Sequence, residues 1–516
     1  MKKISFLMAA LLVAIVGCQK EPQAQTQGNG LNPEDKVYME FQIQTLTTRS
    51  STNSDADDNY VSSDAAPNVE VGQNYENNIS TVDVVLRSAN SYVSAQVVNP
   101  AAEDDGNYKT WVAEFASSQL ETGVNYEVYI YVNCSAKQDL NATSDASIET
   151  ITDKTNNGKF WMTSAYTPAT KNFTEFSTDK NNPTDIGTHY VERVMARFDY
   201  MPKGPYTLGD GVQVTLTEAA LINQSKSFYM LRRVSSDGTN NDWVIGGVET
   251  PLNYVVDTDY SDKQDGYGAN DASLFDYHMS TSPATWQWKS IVKTDEWVPD
   301  NWEGTDDGKT DYDETHTLND YYIWQYAKES TIPKEPKNQQ NGLSTGIVFK
   351  GELSGDLVTA ADGQPIYVFE NVLYGTWDKV VAASKEANAS ESLKFAVSVC
   401  NNNDGTAKDS ATLAAAGFTG YSAVGGKYYT YYYYWNRHND NGDNTAMGQM
   451  EFAVVRNNVY KLCVDSISKY GHPTPGGTDP DPDPVNPTDP DEEGEYYFKV
   501  TVKVLPWVVR VNHIEF

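Results

Sequence analysis

Two positions in the sequence carry residue types suited to covalent processing. Cys18 ends the run MKKISFLMAALLVAIVGC, in which Lys2 and Lys3 precede an apolar stretch, Ile4–Val16. That stretch is too short to span a bilayer stably, so it reads as an export signal. Aliphatic and small residues, Ile15-Val16-Gly17, stand immediately before the thiol. This is the pattern of a bacterial lipobox, in which the cysteine becomes a new, acylated N-terminus. Lipid on Cys18 would be the membrane attachment, since no later stretch reaches the ~18 apolar residues of a membrane helix. The second position is Arg49-Ser50, ahead of a Ser/Asp/Asn-rich stretch to Ala66 with almost nothing apolar. Taken alone, Arg49 reads as a solvated loop residue. A cut after it would release everything upstream, the lipid included.

Other candidate chemistry loses support from its surroundings. Gly342-Leu343-Ser344-Thr345-Gly346 has the spacing G-x-S-x-G, but a nucleophile elbow needs a strand before the serine and a helix after it. Here a polar loop precedes and a strand-like run, IVFKGEL, follows. The six histidines are scattered, with no H-E-x-x-H and no Cys-His spacing for zinc. Acidic stretches at Asp306-Asp307-Gly308 to Asp313 and at Asn439–Asn444 lack the full calcium-loop pattern and read as solvated turns. Tyr431–Tyr434 with Trp435 offers rings for stacking on sugars, yet a strand sends alternate rings into the core, so ordinary sheet packing is expected. Cys134, Cys400 and Cys463 lie in apolar, strand-like runs and read as buried free thiols. No catalytic group, metal or cofactor is expected. With 71 Asp and Glu against 38 Lys and Arg, the net charge is −33. Nucleic acid is a poor partner for such a chain, because phosphate binding needs clustered cations.

The elements that would carry these positions are mostly strands. A length of 516 residues suggests about two to four domains, and a composition rich in Tyr, Thr, Val, Asn, Asp and Gly favours an all-β fold of short strands and polar turns. Residues 1–18 are the signal, and 19–49 are a propeptide made of a polar tether and a first strand. In that strand, Val37–Thr48, Val37, Met39, Phe41 and Ile43 alternate with polar neighbours, the period of a half-buried strand. Further strands are expected at Ile79–Leu86, Val124–Cys134, Phe160–Met162 and Tyr190–Tyr200, completing a β-sandwich domain over 50–203. A second domain, 204–470, is expected to hold strands at Gly211–Leu221, Gly346–Leu353, Ile366–Phe369, Leu393–Cys400, Tyr428–Trp435 and Val459–Val464. One short helix is expected at Trp377–Ala389 with Thr376 as N-cap, and long loops over 255–340. Residues 471–494 repeat Pro and Asp and read as a stiff, extended linker reaching on the order of 70 Å.

Beyond the linker lies a strand-like tail, 495–516. Phe498, Val500, Val502 and Val504 share one face; after Pro506 the apolar positions become Trp507, Val509 and Val511. One continuous buried face then requires a bulge or bend at Leu505-Pro506. Alone, this strand would expose large apolar side chains and a row of backbone donors. It either returns to its own domain as a late strand or adds to a groove of another subunit. Burial of these side chains is worth roughly 10–20 kcal/mol gross. If the first strand occupies such a groove, it competes intramolecularly at high effective concentration, and a cut after Arg49 would release it.

These features together resemble the Bacteroidales fimbrillins, specifically the Mfa-type major fimbrial (type V pilus) stalk subunits. The resemblance rests on Cys18, on Arg49, on Tyr190–Tyr200 with Arg193 and Arg197, and on Tyr431–Trp435 followed by Arg456-Asn457-Asn458-Val459-Tyr460. It is densest at the Asp/Pro linker and the ending Leu505-Pro506-Trp507 … Ile514-Glu515-Phe516. The resemblance implies two transthyretin-like β-sandwich domains with a C-terminal donor strand. It implies lipidation at Cys18, cleavage between Arg49 and Ser50 by a trypsin-like, arginine-specific protease, and loss of the strand bearing Val37, Met39, Phe41 and Ile43. The expected partners are identical subunits in a fimbrial polymer, with anchor and tip subunits, and the expected location is the outer membrane and then the extracellular fimbrium. Asp409-Ser410-Ala411 and Asp465-Ser466-Ile467 also match a short O-glycosylation pattern of this bacterial group. The competing reading from the residues is a monomeric, surface-anchored glycan-binding lipoprotein.

Overall fold

The computed structural model describes residues 32–45, 72–97, 110–165, 168, 170–236, 243–246, 254–259, 263, 270–294, 298, 321–332, 339–358, 364–438, 443, 445–448, 450–476, 479–492 and 498–506. The fold is mostly β, as its composition suggests. The first sheet is built on β1 (Lys36–Thr45), β2 (Val82–Arg87), β3 (Tyr92–Val97), β4 (Thr110–Ala116), β5 (Asn125–Val132), β6 (Met162–Ser164) and β7 (Thr184–Arg193). Its spatial order is β3-β2-β5-β6-β7-β1-β4. The apolar alternation read in β1 is what the structure uses: Val37, Met39, Phe41 and Ile43 are buried, while Tyr38, Glu40 and Gln42 are half-buried. These side chains join Val84, Leu86, Trp111, Phe115, Tyr126, Ile130, Ile186 and Val191 in one core.

The expected single strand Tyr190–Tyr200 is two. β7 ends at Arg193, the chain turns at Val194, and β8 (Met195–Met201) enters a second sheet with β10 (Tyr322–Lys328), β13 (Asn458–Ile467) and β14 (Phe498–Pro506) in the order β10-β8-β13-β14. A third sheet has β9 (Gln213–Ile222), β11 (Gly346–Ser354) and β12 (Tyr428–Trp435) as consecutive neighbours. The second and third sheets share a core that includes Phe198, Tyr200, Val214, Leu221, Phe349, Tyr432, Tyr460 and Leu462. The expectation of loops over 255–340 misses β10, and Trp286 and Trp288 of that stretch pack in one cluster with Tyr431 and Trp435.

One expected strand is a helix. Residues Glu391–Cys400 are α-helical, with the Ser390 side chain accepting from the Leu393 N–H at 3.2 Å as N-cap. Leu393, Ala396, Val397 and Cys400 are buried, at spacings of three, four and seven, whereas Phe395 stays 70% exposed. The run is apolar enough to mimic a strand, but its buried set follows the helical period, not the period of two. The helix expected after Thr376 begins at Trp377 and ends at Ser384; Thr376 holds the N-cap position without a side-chain cap bond. Both helices cover Tyr367, Phe369 and Phe418. All three described cysteines are free and buried.

Candidate functional site

β1 lies inside its sheet, not at an edge. It pairs in parallel with β7, from Met39 opposite Thr184 to Thr45 opposite Val191, and antiparallel with β4, from Lys36 opposite Ala116 to Gln42 opposite Thr110. A bulge between Glu40 and Gln42 adjusts the parallel side. Outside the ladder, the Tyr38 N–H donates to the Ser177 carbonyl at 3.0 Å, and the Ser117 N–H donates to the Asp35 carbonyl at 3.0 Å. The Lys36–Glu114 pair at the start of the strand is exposed and contributes little. The strand is held by apolar burial. Val37, Met39, Phe41 and Ile43 are at most 3% exposed, worth together on the order of 6–12 kcal/mol gross at ~1.5–3 kcal/mol each. Taking β1 away would strip β7 and β4 of ladder partners and uncover one side of this core at once.

The candidate tail is paired within its own chain. β14 runs antiparallel to β13, with Phe498 opposite Ile467, Val500 opposite Val464, Val502 opposite Leu462 and Val504 opposite Tyr460. Those β13 residues are core residues. The register breaks between Val464 and Ser466, not at Leu505-Pro506, where Pro506 still pairs with Asn458. Cys18, Arg49, Ser50, Trp507, Val509 and Val511 lie outside the described residues.

The Pro/Asp segment is not a free spacer. It runs along the body: the Gly342 N–H donates to the Pro487 carbonyl at 2.7 Å, the Asn341 N–H to the Asp489 carbonyl at 3.0 Å, and the Asp491 N–H to the Gln339 carbonyl at 3.0 Å. Arg437 grips Glu492 with two bonds of 2.8 Å and also pairs with Glu451. Ser344, the serine of the G-x-S-x-G run, is fully buried and donates to Asp491. β11 follows it directly, so the serine is an anchor for the segment and not a nucleophile. Burial pushes the Asp491 carboxyl up to about 8, with the nearby Glu492 and Glu451 charges adding to the shift. Burial also raises the Glu451 carboxyl to about 8, against the opposing charge of Arg437. The sequence reading missed this clasp because Pro and Asp are the composition of solvated linkers, and only their partners in the body show otherwise.

The charged residues within Tyr190–Tyr200 and after Val455 meet at the passage from the first sheet to the second. Arg197 donates through Nε and a terminal nitrogen to both Asp199 oxygens at 2.8 Å, and through its other nitrogen to Glu76 Oε2 at 2.9 Å. Lys461 Nζ reaches Asp199 Oδ2 at 2.9 Å, and the Tyr326 hydroxyl donates to Glu76 Oε1 at 2.6 Å. Arg197, Glu76, Asp199 and Lys461 are fully buried. Arg193 Nε donates to the Glu76 carbonyl at 3.2 Å and its N–H to Asn457 Oδ1 at 3.3 Å, tying β7 to the turn before β13. Arg456 clamps Glu329 through Nε at 3.1 Å and a terminal nitrogen at 3.0 Å. Each charge is paired, so the cluster fixes geometry and offers no open chemistry. Charged residues inside an apolar strand run were the available signal, at Arg193, Arg197, Asp199 and Lys461; Glu76 and Tyr326 carried none.

In β12, Tyr428, Tyr431, Tyr432 and Trp435 are buried and Tyr429, Tyr433 and Tyr434 half-buried. This is sheet packing, but on both faces rather than one: Tyr428, Tyr432 and Tyr434 join the core of the second and third sheets, and Tyr429, Tyr431, Tyr433 and Trp435 join the cluster around Trp286.

Residues 427–513 match the family model described as major fimbrial subunit protein type IV, fimbrillin, C-terminal. None of the curated protein sequences matches the chain. Similar solved structures include a candidate cell adhesion protein from Parabacteroides distasonis ATCC 8503, 11% identical with a TM-score of 0.41 over 93% of this chain and 100% of that one. A fimbrillin from Porphyromonas gingivalis W83 is 13% identical, with a TM-score of 0.38 over 93% of this chain and 99% of that one. The tip fimbrial protein Mfa3 from Porphyromonas gingivalis, C-terminally truncated, is 8% identical, with a TM-score of 0.35 over 92% and 100%. The fimbrillin resemblance read from the residues is thus met by the family match over the end of the chain.

Proposed function

We propose that the chain is the structural stalk subunit of a cell-surface fimbria. It is exported as a lipoprotein on Cys18, cut after Arg49 by a trypsin-like protease, and polymerised when the tail of one subunit, 495–516, enters the slot that β1 leaves in the next. It has no catalytic role. Cell adhesion and biofilm support follow from a polymer of this kind. The observation that carries the reading is the place of β1: an N-terminal strand, flanked on both edges, whose apolar side is matched in pattern by the tail. Residues 498–504 alternate as residues 37–43 do, four apolar positions in each. The fimbrillin C-terminal match over 427–513 supports the same reading.

In the single chain the tail sits on β13, and the reading requires it to leave that edge or be captured before it docks. The pairing with β13 favours the second reading, a closed monomeric surface lipoprotein that binds glycans. The two are separated by expressing Arg49→Ala in the native host. Stalk function predicts that the surface protein stays lipidated and monomeric, whereas the wild type begins at Ser50 and gives ladders resistant to mild SDS treatment. Normal fimbriae from Arg49→Ala would remove the cut from the mechanism. Glycan-array binding by an uncut wild-type monomer would establish the second reading.

A further inference from the structure

The start of the Pro/Asp segment folds against β12, and there three potential ligand atoms converge. The His472 N–H donates to the Tyr431 carbonyl at 2.8 Å and the Tyr431 N–H to the His472 carbonyl at 2.9 Å, which fixes the histidine backbone on the strand. Its ring meets Tyr433 edge-on, with centroids 5.6 Å apart. Asp479 and Asp481 return from the segment so that one nitrogen and two carboxylate oxygens lie within 4.8 Å of one another. The His472 and Asp479 side chains are each 4% exposed.

The hydrogen bonding leaves one ligand position open. Asp479 Oδ1 accepts from the Asp481 N–H at 3.0 Å. Asp481 accepts from the Asp483 N–H at 3.1 Å and from the Thr419 hydroxyl at 3.2 Å. Asp479 Oδ2 has no hydrogen-bond partner among the described residues, although it stands 2.8 Å from His472 Nδ1. A carboxylate oxygen and an imidazole lone pair at that distance repel unless a positive charge sits between them. A proton satisfies two atoms; here a third, a carboxylate oxygen of Asp481, lies within 4.8 Å of both. No lysine or arginine pairs with either aspartate among the described residues.

From this geometry we propose that His472, Asp479 and Asp481 form a divalent transition-metal site of the zinc class, with water completing the coordination. One nitrogen with two carboxylate oxygens suits zinc better than calcium, which takes oxygen alone. A tetrahedral ion with bonds of ~2.0–2.2 Å sets its ligand atoms about 3.3–3.5 Å apart, so side-chain shifts of about 1 Å would close the site. The ion would fasten residues 472–481 to β12. This site stands whether or not the tail exchanges between subunits.

The test uses the full mature chain, stripped with a chelator and titrated with Zn²⁺ by calorimetry, beside Asp479→Asn, His472→Gln and Asp481→Asn. The wild type should take up one equivalent in a saturable phase and melt at a higher temperature with zinc. Each variant should retain the wild-type circular dichroism and bind at least tenfold more weakly. Absorption-edge spectroscopy of the loaded wild type should give one nitrogen with oxygen neighbours. Absence of a saturable phase, or equal binding by the folded variants, would overturn the site and leave a proton between His472 and Asp479. Displacement of zinc by equimolar Ca²⁺ would overturn the ligand class.

Discussion

Phe41 offers a sharp test of β1 as a removable plug. It is 1% exposed, lies opposite Trp111 in the β4 ladder, and sits beside His189 with ring centroids 6.4 Å apart. Phe41→Ala should cost the uncut chain about 3–5 kcal/mol, the usual range for emptying a buried aromatic site. At 1.36 kcal/mol per decade, β1 would leave its slot roughly a hundred- to several-thousand-fold more often. The assay is capture of a labelled peptide spanning residues 495–516 by purified uncut protein, followed by fluorescence anisotropy beside urea unfolding. Uncut wild type should capture the peptide slowly, uncut Phe41→Ala faster by that order, and chain cut after Arg49 fastest. After the cut fragment is removed, the substitution should no longer matter. A variant destabilised by the expected amount that captures peptide no faster than wild type would refute the idea that β1 and the tail compete for one slot.

Three further outcomes are expected. Removing 495–516 should leave a folded, soluble monomer by circular dichroism and light scattering that forms no ladders; failure to fold would make β14 an obligate part of its own chain. Arg197→Met should cost about 3–5 kcal/mol in urea unfolding, because the buried Glu76 would lose its Arg197 partner and Asp199 would keep Lys461 but lose its two-pronged bond to Arg197. The clasp on the Pro/Asp segment should loosen with rising pH. Asp491 and Glu451 hold protons up to about 8 when docked, against ordinary carboxyl values near ~4. The docked form therefore binds more protons between those values, and docking weakens as pH rises through that window. The protection factor over 479–492, taken relative to the intrinsic base-catalysed exchange rate at each pH, should fall from pH 5 to 8 in wild type and change less in Asp491→Asn; a protection factor that rises toward pH 8 would contradict the sign.

What the sequence disclosed was set by periodicity. β1, β2, β5, β9, β11 and β12 were readable because polar and apolar residues alternate across a half-buried sheet, or because β-branched and aromatic residues crowd a short run. Glu391–Cys400 was misread because Leu393, Phe395, Val397 and Val399 also satisfy a period of two. Ser390 as N-cap and the Leu393/Ala396/Val397/Cys400 stripe decided for the helix. The Pro/Asp segment was misread as free because its composition disfavours ladders, whereas its anchors are isolated bonds from Gly342, Asn341, Ser344 and Arg437, each remote in sequence. The tail was legible as a strand, but the edge it would choose was not. Apolar alternation states that a partner is needed and does not name it.

The most direct measurement is the density of an assembled fibre at side-chain resolution, at the slot between β4 and β7. The account predicts that the strand there is Phe498–Val511 of a neighbouring subunit, that β1 is gone, and that the first residue of each subunit is Ser50. Finding Val37, Met39, Phe41 and Ile43 still in the slot, with each tail on its own β13, would contradict it.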